Sequence, residues 1–357
     1  MNSRTYLAGA VALIAIAAGG VLLYGRYVRV PENVAYVSEE PGWISVIDLN
    51  TMKVVNRIHP DDTEPRGLSL TFDGKYLVTA NKSTSDASVF DTRGLSLVRR
   101  IQVGDNPEFV KLEPGGKSVF TSFEPGSSGA PPKEGPSGQE IEDDSGPPSQ
   151  VVAFSVQDWA RERSFVAGQE TEGIEFSADG KILIVANEAQ NTMGIYDVES
   201  GKRLREIDLA TIGIRPRGVK RSPQGNMYAI TMEASGTLLT LDQNFNVIRS
   251  VATGAKPYGV SFDRAGRRIF VAAATARKLQ VFAADTLQLL AEIPIGQRCW
   301  HFTFTPDDAK ILMVCGRSNN VYVIDAKSYA VLSTIEGFQL PWGIATYPRA
   351  YGSLDLP

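Results

Sequence analysis

Charged and aromatic residues recur in this sequence at the centre of a repeated tripeptide. The commonest form of the tripeptide is Pro-x-Gly, and its seven copies begin 42, 64, 45, 41, 42 and 42 residues apart. The middle position holds two arginines, two glutamates and three aromatic residues: Arg66, Glu108, Glu172, Arg217, Tyr258, Trp300 and Trp342. Brought together at one mouth of a central channel, these side chains would form a polar and aromatic ring suited to a small ligand. The alternative is that they brace adjacent repeats as ion pairs and packed rings.

The sixth copy of the tripeptide reads Cys-Trp-His instead of Pro-x-Gly. Cys299 and His301 are two residues apart on an expected strand and so face the same side, and Cys315 lies on the next strand, close to opposite. Three hypotheses stay open: packed core residues, a Cys299–Cys315 disulfide, or a soft metal site for zinc or copper. A fourth metal ligand is not evident, since His59 is the only other histidine.

A second set of polar residues follows the second β-rich run of several repeats: Asn81, Glu124, Asn187, Glu188, Glu233 and Arg317. We expect these at the same face as the tripeptides. Three oxygen ligands converging there would favour a metal-dependent, lactonase-like hydrolase.

Phosphate-loop, Gly-x-Ser-x-Gly, His-Glu-x-x-His and dinucleotide-binding sequences are missing, so no catalytic residue is assigned and no cofactor is expected. The sequence has no Cys-x-x-Cys-His motif, which excludes a covalent c-type haem. It has only two histidines, which excludes histidine-rich metal or haem sites.

The repeats themselves are strand-like. "GLSLTFDGKYLVTA" consists of an alternating run, a turn at "FDGK" and a second β-rich run, and two further runs, "ASVFD" and "SLVRRIQVG", follow. Four short strands in a unit of about 40–45 residues are typical of a β-propeller blade. The sequence therefore predicts an all-β, seven-bladed β-propeller.

The two ends of the propeller region are each incomplete. The last tripeptide is followed by only one strand, "WGIATY", whereas the region begins with three strands, "NVAYVS", "WISVID" and "KVVNRI". The C-terminal strand is therefore predicted to complete the N-terminal blade, with residues 342–347 beside residues 34–38. Such closure leaves no exposed sheet edges.

Three regions are distinguished by composition. Residues 1–30 contain an uncharged stretch of twenty residues, Tyr6 to Gly25, which predicts a transmembrane anchor or a cleaved signal peptide. Residues 31–357 form the propeller, and residues 124–150 are a flexible, acidic, Pro/Gly-rich insertion between a second and a third strand. We expect the protein in the periplasm, anchored in the inner membrane by the N-terminal helix, or secreted if that segment is cleaved. A net charge of −4 argues against nucleic-acid binding, and we expect a monomer.

The units "PRGLSLTFDGKYLVTA" and "SNNVYVIDAKSYAVLSTI" resemble the YVTN-family β-propeller repeat. "GQRCWHFTFTPDDAKILMVCGRSNNVYVIDA", followed by "LPWG", resembles the exported propellers associated with PQQ-dependent alcohol catabolism in bacteria. The resemblance covers roughly residues 33 to 348. It implies a periplasmic accessory protein that works beside quinoprotein dehydrogenases.

Two functional hypotheses follow. The main one is a non-enzymatic binding or scaffold propeller that docks a periplasmic protein partner or a small molecule. The alternative is an enzyme with an axial site, either a lactonase-like metal-dependent hydrolase or a haem-handling propeller related to nitrite reductase.

Overall fold

A computed structural model describes residues 32–59, 61, 63–126 and 146–355, together with the backbone of 133–134 and 140–141. The predicted membrane anchor or signal peptide, residues 1–30, lies outside these residues. Within the described part of the chain, no helix has the length and apolar character to span a bilayer. The described residues therefore support neither the predicted inner-membrane anchor nor the predicted periplasmic location.

The described chain folds into seven four-stranded antiparallel sheets arranged as propeller blades. In chain order the strands are β1 Val34–Glu39, β2 Trp43–Asp48, β3 Lys53–Ile58, β4 Pro65–Leu70, β5 Tyr76–Asn81, β6 Asp86–Asp91, β7 Ser96–Gln102, β8 Pro107–Leu112, β9 Ser118–Phe123, β10 Lys133–Glu134, β11 Glu140–Ile141, β12 Gln150–Ser155, β13 Arg161–Val166, β14 Thr171–Phe176, β15 Ile182–Asn187, β16 Thr192–Asp197, β17 Arg203–Asp208, β18 Pro216–Arg221, β19 Met227–Met232, β20 Thr237–Asp242, β21 Val247–Ala252, β22 Pro257–Phe262, β23 Arg268–Ala273, β24 Lys278–Ala283, β25 Leu289–Pro294, β26 Cys299–Phe304, β27 Lys310–Cys315, β28 Asn320–Asp325, β29 Val331–Glu336 and β30 Pro341–Tyr347. One 3-10 helix, Gly316–Ser318, lies between β27 and β28.

Each blade contributes one inner strand, which begins with the repeated tripeptide. Blade 1 has the strand order β30-β1-β2-β3, blade 2 is β4 to β7, blade 3 is β8-β9-β12-β13, and blades 4 to 7 take the remaining strands four at a time. The small hairpin β10-β11 falls between the second and third strands of blade 3, where the insertion was predicted. We call the end of the central axis at which inner strands begin the upper mouth, and the other end the lower mouth.

The predicted closure is confirmed. β30 pairs antiparallel with β1, with Val34 opposite Tyr347 and Val37 opposite Ile344. β30 therefore supplies the innermost strand that the N-terminal blade lacks, and the ring of seven blades has no unpaired inner edge.

The pattern of burial follows the radial position of each strand. Inner strands such as β8 and β22 are buried along their whole length, whereas the outermost strands, such as β17, are exposed at most positions. Apolar side chains of neighbouring blades pack against each other, as Phe120 of β9 and Phe165 of β13 do with Tyr196 of β16. The core is thus a series of interfaces between sheets.

The glycine of the tripeptide is required by the close approach of inner strands. A Cβ atom at Gly218 would lie 2.5 Å from the carbonyl oxygen of Tyr258, and one at Gly67 would lie 2.4 Å from that of Glu108. Both contacts are shorter than packed atoms tolerate. Phe109 and His301 take the place of this glycine in blades 3 and 7.

The chain after β30 returns into the axis from the lower mouth. Phe304 donates its backbone N–H to the Tyr351 carbonyl at 2.8 Å, and Ser353 donates to the Phe302 carbonyl at 2.9 Å. Leu354 is buried, with its side chain beside Gly343 of β30. This tail occupies the axis below the upper mouth.

Candidate active site at the upper mouth

A buried guanidinium at the upper mouth is surrounded by three carboxylates. Arg217, the second residue of β18, contacts Glu172 of β14 at 2.8 Å, Glu188 at 2.9 Å and Glu233 at 2.7 Å. Glu188 and Glu233 directly follow β15 and β19, the second strands of blades 4 and 5. Because second strands run antiparallel to inner strands, their ends reach the same mouth as the tripeptides.

Two further cations and a fourth carboxylate extend this cluster. Arg215 contacts Glu170 at 2.6 Å and Glu188 at 3.0 Å, and the Lys256 ammonium lies 3.7 Å from Glu233. We call Glu170, Glu172, Glu188, Glu233, Arg215, Arg217 and Lys256 the Arg217 cluster.

Sequence reasoning missed Glu170, Arg215 and Lys256, which share one position. Each stands immediately before a tripeptide and has a positive φ, between 50° and 62°. The residue before every one of the seven tripeptides is in this left-handed region: Glu64, Asn106, Glu170, Arg215, Lys256, Arg298 and Leu340. This backbone turn leads the chain into each inner strand, and the column before the tripeptide was the signal that could have found these residues.

Glu188 and Glu233 are hydrogen-bonded to each other, and their pKa values are shifted in opposite directions. Burial raises the pKa of Glu188 well above its ordinary 4.5, opposed by Arg217 and reinforced by Glu233 and Glu172. Burial also acts to raise the pKa of Glu233, but Arg217 and a hydrogen bond from Glu188 lower it to about 2. Of the two carboxyl groups, Glu233 is therefore the one that ionises more readily. Glu233 is 12% exposed and Glu188 only 1%, so Glu233 is the carboxylate that meets solvent.

Aromatic rings form the floor beside this cluster. The Tyr258 ring lies 4.0 Å from the Arg217 guanidinium carbon, and the Tyr258 hydroxyl accepts a hydrogen bond from Arg217. Burial raises the pKa of Tyr258 well above 10, so the phenol stays neutral. The Tyr258 and Trp300 ring centroids are 6.4 Å apart.

The axis is filled where the tripeptide glycine is replaced. The rings of Phe109 and His301 are 5.9 Å apart, and Trp342 lies 4.4 Å from His301 and 5.6 Å from Phe109. Blades 3 and 7 are not neighbours, so Phe109 and His301 meet across the axis. The upper mouth therefore ends in a closed floor.

The charged members of the predicted seven-residue ring form two separate ion pairs. Arg66 pairs with Glu108 and lies 3.8 Å from Glu40, whereas Arg217 pairs with Glu172. The ring as a ligand site stays a prediction, although Glu172, Arg217, Tyr258 and Trp300 do lie together.

The polar residues predicted after the second strands do not all lie in one place. Glu188 and Glu233 join the cluster, whereas Asn81 is buried against Asp86 and Ser88 in blade 2. Elsewhere in this set, Glu124 accepts a hydrogen bond from Asn106, Asn187 bonds the Gly168 backbone, and Arg317 is exposed on the 3-10 helix.

The soft-metal hypothesis for the sixth repeat is wrong. Cys299 and Cys315 are directly opposite each other on β26 and β27 and form a disulfide, so neither offers a thiolate. His301 Nδ1 lies 3.1 Å from the Ser353 hydroxyl of the C-terminal tail. Burial, with Arg217 and Lys220, lowers the pKa of His301 well below 6.5 and keeps the imidazole neutral.

The carboxylates at the upper mouth are not arranged as metal ligands either. They surround a guanidinium, and across the described ranges no group of three or more His, Cys, Asp or Glu side chains suits a metal ion. The metal-dependent form of the predicted hydrolase therefore does not fit these residues.

Comparison with known proteins adds a family match to this geometry. A model of the family "Lactonase, 7-bladed beta-propeller" matches residues 150–245, about a quarter of the chain. No curated protein matches the sequence.

Solved structures share the fold at low identity. A protein of unknown function from Desulfotomaculum acetoxidans is 16% identical, with a TM-score of 0.73 over 88% of this chain and 98% of its own. The periplasmic gluconolactonase of Pseudomonas aeruginosa and a candidate 6-phosphogluconolactonase from Bacteroides uniformis are each 16% identical, with TM-scores of 0.68 over 88% of this chain and 99% of theirs. At such identities these structures show the fold alone.

These matches correct the functional prediction. The family match over residues 150–245 favours the enzyme alternative over the non-enzymatic binding or scaffold propeller. The matches do not support the resemblance to propellers associated with PQQ-dependent catabolism.

Proposed function

We propose that this propeller is a hydrolase that opens lactones of sugar acids, and that the Arg217 cluster is its active site. The observation that carries the proposal is that the family match and the Arg217 cluster fall in the same segment of the sequence. The lactonase family match, residues 150–245, includes Glu172, Glu188, Arg215, Arg217 and Glu233, which contribute most of the cluster. The one segment with family similarity is thus the segment in which acid, base and cation meet.

The substrate class follows from the neighbours and from the shape of the mouth. Two structural neighbours carry gluconolactonase-type names. The closed floor of Phe109, His301 and Trp342 leaves no axial tunnel for a long acyl chain, so a compact lactone is favoured. Cations and carboxylates side by side offer hydrogen bonds to a polyhydroxylated ring.

The hydrolysis can be assigned to groups of this chain. The ionised Glu233 takes a proton from a water molecule, whose oxygen attacks the lactone carbonyl carbon. Lys256, 31% exposed and 3.7 Å from Glu233, is placed to stabilise the developing oxyanion. Collapse of the tetrahedral intermediate breaks the ring C–O bond, and the departing alkoxide receives the proton from Glu233. The product is the open-chain hydroxy acid.

Glu188 acts through Glu233 as a positioning residue. Its protonated carboxyl donates to Glu233 and fixes which partner of the pair is ionised. Arg217 holds both in place.

The proposal is tested by continuous titration of acid release at constant pH. The wild-type chain is assayed with glucono-δ-lactone, galactono-γ-lactone, caprolactone and a long-chain acyl-homoserine lactone. Heat-denatured protein supplies the rate of spontaneous hydrolysis. Lys256→Met removes the proposed oxyanion partner, and Glu206→Gln on the exposed strand β17 is the control.

We expect acceleration with the two sugar lactones, little with the other two, and a loss of about 100-fold in kcat for Lys256→Met. Glu206, 40% exposed and paired with Arg203, should be replaceable without effect. Wild-type rates equal to those of denatured protein on all four lactones would refute the proposal.

A further inference from the structure

A second site lies on the lower face, far from the Arg217 cluster. A cavity of about 340 Å³ opens between blades 6 and 7, where the turn joining β22 to β23 faces the turn joining β26 to β27. Three arginines of one turn line it, Arg264, Arg267 and Arg268, and Phe304 and Ala326 form an apolar part. Its volume is within the range of small-molecule pockets.

The repeats provide an internal comparison for these arginines. The equivalent turns of five other blades read "TFDGKY", "EPGGKS", "SADGKI", "SPQGNM" and "TPDDAK", and none contains arginine. The blade 6 turn reads "DRAGRR". Because the same turn forms without arginine in five other blades, the three guanidinium groups are not needed to make it.

Two of the three guanidinium groups are held in fixed positions. Arg268 donates to Asp263 and to the Tyr329 hydroxyl, both at 2.8 Å. Arg264 pairs with Asp308 across the cavity and lies 5.3 Å from the Tyr351 ring. Groups held in this way lose little freedom when an anion binds to their remaining N–H donors.

The third guanidinium is unpaired. Arg267 is exposed, and its side chain makes no ion pair or hydrogen bond with any residue that the structure describes. Its backbone is held, since the N–H donates to Asp263 at 2.7 Å and the carbonyl accepts from the Ala284 N–H at 2.9 Å. Three arginines against two aspartates leave one excess positive charge at the rim, above buried Phe304 and Ala326.

We propose that this pocket binds a small organic anion, with its carboxylate or phosphate on Arg267 and Arg268 and its apolar body against Phe304 and Ala326. A planar guanidinium suits either oxyanion, so the shared chemistry defines the ligand class. This site is independent of the proposed lactonase activity.

Isothermal titration calorimetry on the full-length chain tests the site. The probes are phenyl phosphate, benzoate, inorganic phosphate and the uncharged benzyl alcohol. Arg267→Ala removes the unpaired cation, and Lys181→Ala, at the equivalent turn position of blade 4, is the matched control. Ala265→Phe fills the cavity without changing charge.

We expect phenyl phosphate, benzoate or both to bind more tightly than inorganic phosphate and benzyl alcohol. Arg267→Ala should weaken that binding about 10-fold or more, since a charge-assisted hydrogen bond is lost. Ala265→Phe should abolish it, and Lys181→Ala should leave it unchanged. Binding of one organic anion alone would identify the head group.

Three results would overturn the proposal. One is the absence of binding by both organic anions at millimolar concentration. Another is equal weakening by Arg267→Ala and Lys181→Ala. The third is binding of inorganic phosphate or benzyl alcohol as tightly as the organic anions.

Discussion

Replacement of Glu233 by glutamine and replacement of Glu188 by glutamine should have opposite effects on the free energy of unfolding. Burial acts to raise the pKa of Glu233, but Arg217 and the hydrogen bond from Glu188 outweigh it and leave the pKa at about 2, against an ordinary 4.5. At about 1.4 kcal/mol per pH unit, this difference corresponds to about 3 kcal/mol of folding free energy at neutral pH. Glu233→Gln should therefore destabilise the protein by up to about 3 kcal/mol at pH 7.

The sign of the pH dependence follows from the direction of each shift. A lowered pKa in the folded state contributes stability above pH 4.5 that is lost as the pH falls toward 2. The deficit of Glu233→Gln relative to wild type should thus shrink to less than half at pH 3. Glu188 behaves in reverse: its raised pKa contributes stability that is fully present below pH 4.5 and is lost as the pH rises through the folded-state value.

Glu188→Gln imitates the protonated acid, because its carbonyl can accept from Arg217 and its amide can donate to Glu233. We expect it to be at least as stable as wild type at pH 8. Urea unfolding followed by tryptophan fluorescence, at pH 3, 7 and 8, measures all three proteins. A Glu233→Gln deficit that is the same at pH 3 and pH 7, or a Glu188→Gln protein less stable than Glu233→Gln, would refute this reasoning.

The other predictions concern the buried Lys220, the disulfide and the closed floor of the upper mouth. Lys220 is fully buried, and burial lowers its pKa well below 10.5. Glu175, 3.9 Å from Lys220, keeps its 2.9 Å ion pair with Lys111 when Lys220 is removed. Lys220→Met should therefore stabilise the protein by about 1–3 kcal/mol at pH 7 and by less at pH 10, as measured by urea unfolding. A destabilised Lys220→Met would contradict this. Joint replacement of Cys299 and Cys315 by Ala should lower stability by about 3 kcal/mol, since their link closes a loop of sequence separation 16. An unchanged urea midpoint would count against the disulfide. Trp342→Ala should cost about 3–5 kcal/mol because Trp342 packs against His301 in the closed floor. A cost below about 1 kcal/mol would argue that the floor is not packed as described.

The fold could be predicted because each repeat carries the same physical requirement. The tripeptide glycine recurs since inner strands approach too closely for a Cβ atom, as at Gly218. The pairing of β30 with β1 was predictable from counting strands alone.

The site was less predictable because its members come from three different columns. Arg217 belongs to the tripeptide, Glu188 and Glu233 follow second strands, and Lys256 precedes a tripeptide. No single column shows that one guanidinium is shared by three carboxylates, or that two of them are hydrogen-bonded to each other. Those features depend on burial and on the relative position of neighbouring blades. The oxidised state of Cys299 and Cys315 likewise depended on strand register.

The most direct test of the proposed active site compares initial rates of glucono-δ-lactone opening by wild type and Glu233→Gln at pH 6.5, corrected for spontaneous hydrolysis. If Glu233 is the base, wild type should accelerate the reaction clearly, and the variant should lose at least about 100-fold in kcat while remaining folded by circular dichroism. A folded Glu233→Gln protein that opens the lactone as fast as wild type would contradict the assignment of this cluster as the active site.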